Sequence, residues 1–172
     1  ARTGARREAA CSIRATTVDQ TPFRAVLRLN AFWRPIMTTL LVACDGSEPS
    51  LRALRHAMRL ADKVHLVNVQ PEADYPGLLM HMTKDDIRRA QLEHGRSSLD
   101  EAGKLLEQAR LACETHVLIG EPAKMIVGIA KSEGVDGIVM GTRGMGAIGN
   151  LVMGSTATKV IHLAEVPVTL VK

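Results

Sequence analysis

The hydrophobic positions of this chain fall into short apolar runs separated by longer amphipathic ones, and the alternation starts near residue 39. Residues 39–44 (TLLVAC) are apolar and partly β-branched, and they give way to Asp45-Gly46-Ser47-Glu48-Pro49. This predicts a buried strand, a turn, and a helix with Ser47 as N-cap and Pro49 in its first turn. Leu51, Leu54, Ala57 with Met58, and Ala61 then recur at helical spacing, with Arg52, Arg55 and Arg59 on the far side. A second strand is predicted over 64–69, closed by Pro71. A loop through Pro76 and Gly77 leads into one long helix over roughly 84–111, with Ile87, Leu99, Ala102, Leu106 and Ala109 on its apolar face. Residues 114–119 read as a third strand, and Gly120-Glu121-Pro122 opens a helix with Met125, Ile126, Ile129 and Ala130 inward. Residues 136–140 make a fourth strand, 155–164 a fourth helix and 166–171 a fifth strand.

Such strict alternation argues for a single open α/β domain, Rossmann-like, with a mostly parallel five-stranded sheet and helices on both faces. Sheets of this kind bind ligands at the carboxyl ends of the strands, where the strand order reverses. With strand 1 placed centrally, the loops after strands 1 and 4 flank that crevice. Those loops hold the two most unusual stretches of the chain, Asp45-Gly46-Ser47 and Gly141–Ser155.

Five of the 14 glycines sit between Gly141 and Gly154. Glycine permits close backbone approach to a ligand, and successive N–H groups can cradle oxyanions. Ser155 and Thr156 fall at the start of the last helix, where unpaired N–H groups and the helix dipole favour phosphate. The bland alternative is a flexible surface loop with Ser155 as an ordinary N-cap. Gly144-Met-Gly146-Ala-Ile-Gly149 matches GxGxxG as a string, but only 23 residues follow Gly149 and Glu165 precedes its strand instead of ending it. The dinucleotide fingerprint needs the opposite arrangement, after a first strand and with an acid closing the next. A P-loop reading of Gly149 through Thr156 fails because Ser155 stands where the phosphate-reaching lysine belongs.

A third reading fits the whole segment. Gly141-x2-Gly144-x9-Gly154-Ser155 resembles the ATP-binding branch of the universal stress protein family, and it follows the fourth strand as in that family. The likeness extends over 38–172: the opening strand with Asp45-Gly46-Ser47, the helix entry at Gly120-Glu121-Pro122, the strand 138–141, and the closing 166–171. The resemblance implies strand order 3-2-1-4-5. It also implies a bound adenine nucleotide, ATP or else ADP or AMP, with Mg2+ or Mn2+. By the same likeness Asp45 would lie beside the ribose and help hold the metal, and Val69 would meet the adenine edge through its backbone. Gly141 would border the ribose. Gly144, Gly154, Ser155 and Thr156 would offer N–H groups or hydroxyls to the phosphates, and Arg143 would add charge there or remain solvated. The implied role is a nucleotide-dependent regulatory or protective module in stress response, and a homodimer paired through 166–171. The alternative from another class is a small adenylate-handling enzyme of the ATP-pyrophosphatase type, whose SGGxDS signature this strand 1 lacks.

Composition changes the picture in one place. The formal charge of +4 and pI near 9.2 suggest nucleic acid until the charges are located. Residues 1–36 hold seven arginines against Glu8 and Asp19, which leaves 15 basic and 16 acidic residues in 37–172. The domain therefore has no electrostatic footprint for nucleic acid, and Tyr75 is its only aromatic residue for base stacking. The arginine-rich leader reads either as a transit-like extension or as sequence upstream of a true start at Met37. The strand opening directly after Met37 favours the second. No apolar run is long enough to span a membrane. Cys11, Cys44 and Cys113 form no disulfide or zinc pattern, which points to a reducing, cytoplasmic setting. Cys44 reads as a buried, inert thiol. The six histidines form no HxH or HExxH pair and read as surface or helix-face residues. Asp45 is the only well-placed carboxylate, so efficient catalysis is not indicated; at most slow ATP hydrolysis or self-phosphorylation is compatible with the motif loops.

Overall fold

The computed structural model describes residues 38–72, 83–144 and 153–172. The leader 1–36, the turn at Pro76 and Gly77, and the middle of the glycine-rich segment with Gly146 and Gly149 lie outside the described residues. In chain order the elements are β1 (Thr39–Ala43), α1 (Glu48–Ala57), β2 (Lys63–Gln70), α2 (Lys84–Ser97), α3 (Asp100–Gln108), β3 (Ala112–Ile119), α4 (Pro122–Ser132), β4 (Gly137–Gly141), α5 (Ser155–Leu163) and β5 (Val168–Val171). The strands form one sheet in the order β3-β2-β1-β4-β5, and every neighbouring pair is parallel.

Successive side chains of a strand point to opposite faces, so each strand feeds two cores. Val42, Val64, Leu66 and Val139 pack beneath Leu51, Leu54 and Ala57 of α1 and Leu99, Ala102 and Leu106 around α3. Leu41, Val67, Ile138 and Met140 face the other way, onto Ala123, Ile126 and Ala130 of α4 and Ala157 and Val160 of α5. Covering both faces is why β1 and β4 read as continuous apolar runs without alternation. Leu41, Leu54, Leu66 and Leu106 are fully buried, and cutting any one back to alanine costs about 2–5 kcal/mol.

The structure corrects the sequence reading in four places. The long helix expected over 84–111 is two helices that meet at Ser98–Leu99. The His94 carbonyl accepts from the Ser98 N–H at 3.0 Å and from both the Ser97 and Ser98 hydroxyls at 2.9 Å. Serine hydroxyls competing for a helix carbonyl in this way end the regular ladder. Ala109, expected on the apolar face, is exposed because it lies just beyond the last turn of α3. β5 begins at Val168 and not at 166, since Pro167 has no N–H to donate and only its carbonyl joins the ladder, accepting from the Ile138 N–H at 2.9 Å. His65 is no surface residue: it is 1% exposed on β2, and its Nδ1 lies 3.0 Å from Nε2 of half-buried His116 on β3. Burial, helped by the Lys63 ammonium, pushes the His65 pKa down, with Glu114 and Glu133 opposing.

Candidate functional site

β1 has β2 on one side and β4 on the other, so the connections out of β1 and β4 diverge. A cleft of about 490 Å3 opens there, at the carboxyl ends of the strands. Asp45 lines it from the β1 loop, Val69 from β2, Gly141, Arg143 and Gly144 from β4 and its loop, and Gly154, Ser155 and Thr156 from the start of α5. The fold thus gathers all eight residues singled out in the sequence.

The β1 loop holds Asp45 by local hydrogen bonds. Its Oδ1 accepts from the Ser47 N–H at 3.0 Å and from the Ser47 hydroxyl at 2.5 Å. Ser47 is itself the N-cap of α1, as its position before Glu48-Pro49 predicts, and its Oγ accepts from the Ser50 N–H. Gly46 makes this turn at φ +83°, in the left-handed region, and a Cβ there would stand 3.0 Å from the Ser98 carbonyl. The β4 loop closes in from the other side. A Cβ on Gly144 would collide with Oδ2 of Asp45, and one on Gly141 would lie 2.9 Å from the Arg143 carbonyl and 3.0 Å from Pro49. Gly141 is therefore demanded by packing of β4 on the entry to α1.

Across the cleft, α5 starts at Ser155 with Gly154 as its N-cap and no side-chain cap. The Gly154 N–H donates to the Thr142 carbonyl at 2.8 Å, so it is already engaged by backbone and does not present a donor as the resemblance implied. The first intrahelical donor is Thr158, whose N–H reaches the Gly154 carbonyl at 3.0 Å. The N–H groups of Ser155, Thr156 and Ala157 precede it, at the positive end of the helix dipole, and no acidic side chain occupies the first turn. Ser155, Thr156 and Ala157 all line the cleft.

The adenine-side expectation concerns backbone. β1 ends at Ala43, opposite Val67, while β2 runs on to Gln70. The Val67 carbonyl faces β1 and accepts from the Cys44 N–H at 2.9 Å. In a parallel ladder alternate residues address the same neighbour. Val69 therefore turns its N–H and C=O toward the β1 side, where no strand remains among the described residues to pair with them. The Gln70 carbonyl, one residue on, faces β3 and accepts from the Gly120 N–H at 2.9 Å.

Arg143 is exposed and forms no ion pair among the described residues. With Asp45 it supplies the formal charges of the described lining. Cys44 is buried, its Sγ 3.4 Å from the Ser50 Oγ, and burial pushes its thiol pKa up, as expected of an inert thiol. Sequence reasoning missed Asn68, His94, Ser98 and Pro122, which also line the cleft. Asn68 carried a signal, being the one amide in the apolar run 64–69. Its Nδ2 donates to the Cys44 carbonyl at 2.9 Å and fixes the mouth of β1 to β2. His94 and Ser98 carried none, because they arrive through the break between α2 and α3.

The sequence model described as the universal stress protein family matches residues 37–172. A universal stress protein of Methanocaldococcus jannaschii is 32% identical over 140 residues, which is 77% of this chain and 81% of that protein. The solved structure of hypothetical protein MJ0577, from the same organism, superposes with a TM-score of 0.70 at 27% identity, over 80% of this chain and 96% of that one. Two more distant structures share the fold. One is a universal stress protein in complex with cAMP (TM-score 0.59, 22% identity, 78% of this chain and 97% of that one). The other is an Arabidopsis thaliana family member with AMP bound (TM-score 0.54, 19% identity, 78% and 91%).

Proposed function

The chain belongs to the universal stress protein family, and from that premise we propose that its cleft binds an adenine nucleotide and that the domain is a nucleotide-dependent regulatory or protective module. The observation that carries this reading is a juxtaposition. The N–H groups that open α5 and the backbone of Val69, which have no partner among the described residues, line the same cleft, one suited to phosphate and the other to the edge of a base. The family members seen with AMP and cAMP support the adenine class. ATP is the form we assign first, with ADP and AMP as the forms to compare.

In this reading Gly141 lies beside the ribose, Ser155 and Thr156 bind phosphate through N–H and hydroxyl, and Gly144 and Gly154 keep space for it. A divalent ion, Mg2+ or Mn2+, fits Asp45 on one condition. Since Oδ1 already accepts two hydrogen bonds from Ser47, the ion would be held mainly by phosphate oxygens and water, as Mg2+ commonly is. Bound there, the ion would neutralise phosphate charge, and Asp45 and Arg143 would orient the chain of phosphates. Asp45 is the only carboxylate, and no lysine joins it, among the described lining residues. That set supports binding and not rapid phosphoryl transfer. Mass spectrometry of nucleotide released from the purified protein, followed by calorimetry with ATP, ADP, AMP and cAMP, tests the reading. Absence of binding to all four at millimolar concentration with Mg2+ would refute it.

We also propose a cytoplasmic homodimer joined along β5. That strand is an edge of the sheet, and edges with unpaired N–H and C=O groups recruit partner strands. Ile161 and Leu163 add exposed apolar surface on the neighbouring α5. Light scattering is expected to give twice the 18.6 kDa chain mass; a monomer at micromolar concentration would overturn the assembly.

A further inference from the structure

A second cluster of ligating side chains lies on β2, β3 and the C-terminal end of α4, and none of its members lines the cleft. His65 stands near the start of β2, and residues Glu114 and His116 lie on the adjacent β3, opposite His65 and Val67 in the register. The same face of the sheet packs against α4, whose C-cap is Glu133. Three elements thus converge on one point. His65 Nδ1 is 3.0 Å from His116 Nε2, 3.9 Å from a Glu133 carboxylate oxygen and 3.8 Å from one of Glu114. One donor atom each from His65, His116 and Glu133 all lie within 4.8 Å of one another.

We propose that His65, His116 and Glu133 form a binding site for a borderline transition-metal ion, with Zn2+ the expected occupant. Zinc binds imidazole nitrogen and carboxylate oxygen at about 2.0–2.2 Å, so tetrahedral ligands stand roughly 3.3–3.5 Å apart. The observed separations of 3.0 and 3.9 Å bracket that value. The two rings are 14° from parallel with centroids 5.3 Å apart, so they meet edge to edge through nitrogen. In the metal-free state a proton bridges the two nitrogens; an ion takes its place when the rings swing to aim both lone pairs at one centre. His116 is half-buried and Glu133 exposed, which leaves both room to make that adjustment, while buried His65 supplies the fixed ligand. Two imidazoles with a carboxylate select zinc, copper or nickel over magnesium or calcium. Three protein ligands leave a fourth position for water. Glu114 adds a second negative charge, and its other oxygen accepts from Lys63 Nζ at 2.8 Å, which offsets that ammonium.

The test uses the untagged full chain, stripped with EDTA, free of nucleotide and titrated with ZnCl2 by calorimetry at pH 7.5. One equivalent is expected to bind at micromolar affinity or better. His116→Ala is expected to weaken binding by about 100-fold and Glu133→Gln by about tenfold, at least the loss seen when outer-shell partners are removed. Neither side chain is fully buried, so circular dichroism in EDTA is expected to match wild type, and His162→Ala, at an exposed position of α5, serves as the control that keeps wild-type affinity. Cobalt in place of zinc is expected to give the visible absorption of a four-coordinate ion, lost in His116→Ala. No binding by wild type below 100 µM zinc, or a His116→Ala/Glu133→Gln double variant that binds like wild type, would overturn the site. Because no nucleotide is present, either result leaves the reading of the cleft untouched.

Discussion

Replacing Gly154 with valine separates a ligand-shaped glycine from a fold-shaped one. Gly154 has φ −73° and ψ 155°, extended backbone that a β-branched residue adopts readily. A Cβ built there meets the Thr142 carbonyl at 3.4 Å and the Arg143 Cα at 3.7 Å, both ordinary contacts. The folding cost is then mainly that of a poorer N-cap, about 1 kcal/mol or less. In the proposed reading, however, the added methyl groups take up space beside the N–H groups of Ser155 and Thr156, which phosphate oxygens would need to approach. Losing two charge-assisted contacts at about 1.5–3 kcal/mol each weakens nucleotide affinity by roughly two to four orders of magnitude. Calorimetry with Mg-ATP reads the loss, and far-UV circular dichroism is expected to stay native. Gly141→Ala is the informative opposite, because its Cβ would press on backbone at 2.9 Å and on Pro49 at 3.0 Å. It should lower the melting temperature before it says anything about ligand. Equal ATP affinity for wild type and Gly154→Val would refute the phosphate cradle.

Four further outcomes follow from the same geometry. Gly103→Ala on α3 is expected to be neutral or to stabilise by up to about 1 kcal/mol in denaturant titration, since nothing lies within 4 Å of its Cβ position; Gly95→Ala, whose Cβ would collide with Val117, is expected to destabilise. Asp45→Ala is expected to weaken ATP binding more with Mg2+ than in EDTA, and equal losses would remove Asp45 from the metal's surroundings. Asp86 closes the capping box of α2 and is held below the usual carboxylate range by the Thr83 hydroxyl and N–H. A depressed folded pKa means its stabilisation is present above the ordinary value near 3.9 and is lost as pH falls through the folded value. The wild-type melting temperature should therefore approach that of Asp86→Ala on acidification from pH 5, and parallel curves would refute the linkage.

The strands were legible because β1 and β4 are buried on both faces, which leaves unbroken runs such as 39–44 and 137–140 that no amphipathic helix produces. The caps were legible where their chemistry is local, as at Ser47 before Pro49. The break at Ser98–Leu99 was hidden because Leu99, Ala102 and Leu106 continue a helical period across it. Periodicity records which face is buried and is silent about whether the backbone ladder is continuous. A serine pair against the His94 carbonyl was the only local hint.

The two clusters differ in how sequence could have revealed them. The cleft is made of loops at the carboxyl ends of strands, where apolar periodicity gives no reason for glycine, aspartate or serine, although packing against Pro49 is one reason for Gly141. Their presence is itself a signal, and topology alone brings Asp45 and Gly144 together. The same logic falls short at Gly154, since a string motif cannot say whether an N–H is already engaged by Thr142. The histidine cluster is made of strand and helix-end residues that are 17 to 68 positions apart in sequence. No spacing rule joins them, because the register of β2 with β3 and the length of α4 decide the meeting point. One sign was available: a histidine at position 65 inside an apolar run must point into a core, and a buried imidazole needs a partner. A rule that asks what each buried polar strand residue would face in the parallel neighbour would have paired His65 with Glu114 and, two residues further along β3, with His116 once the sheet order and register were known.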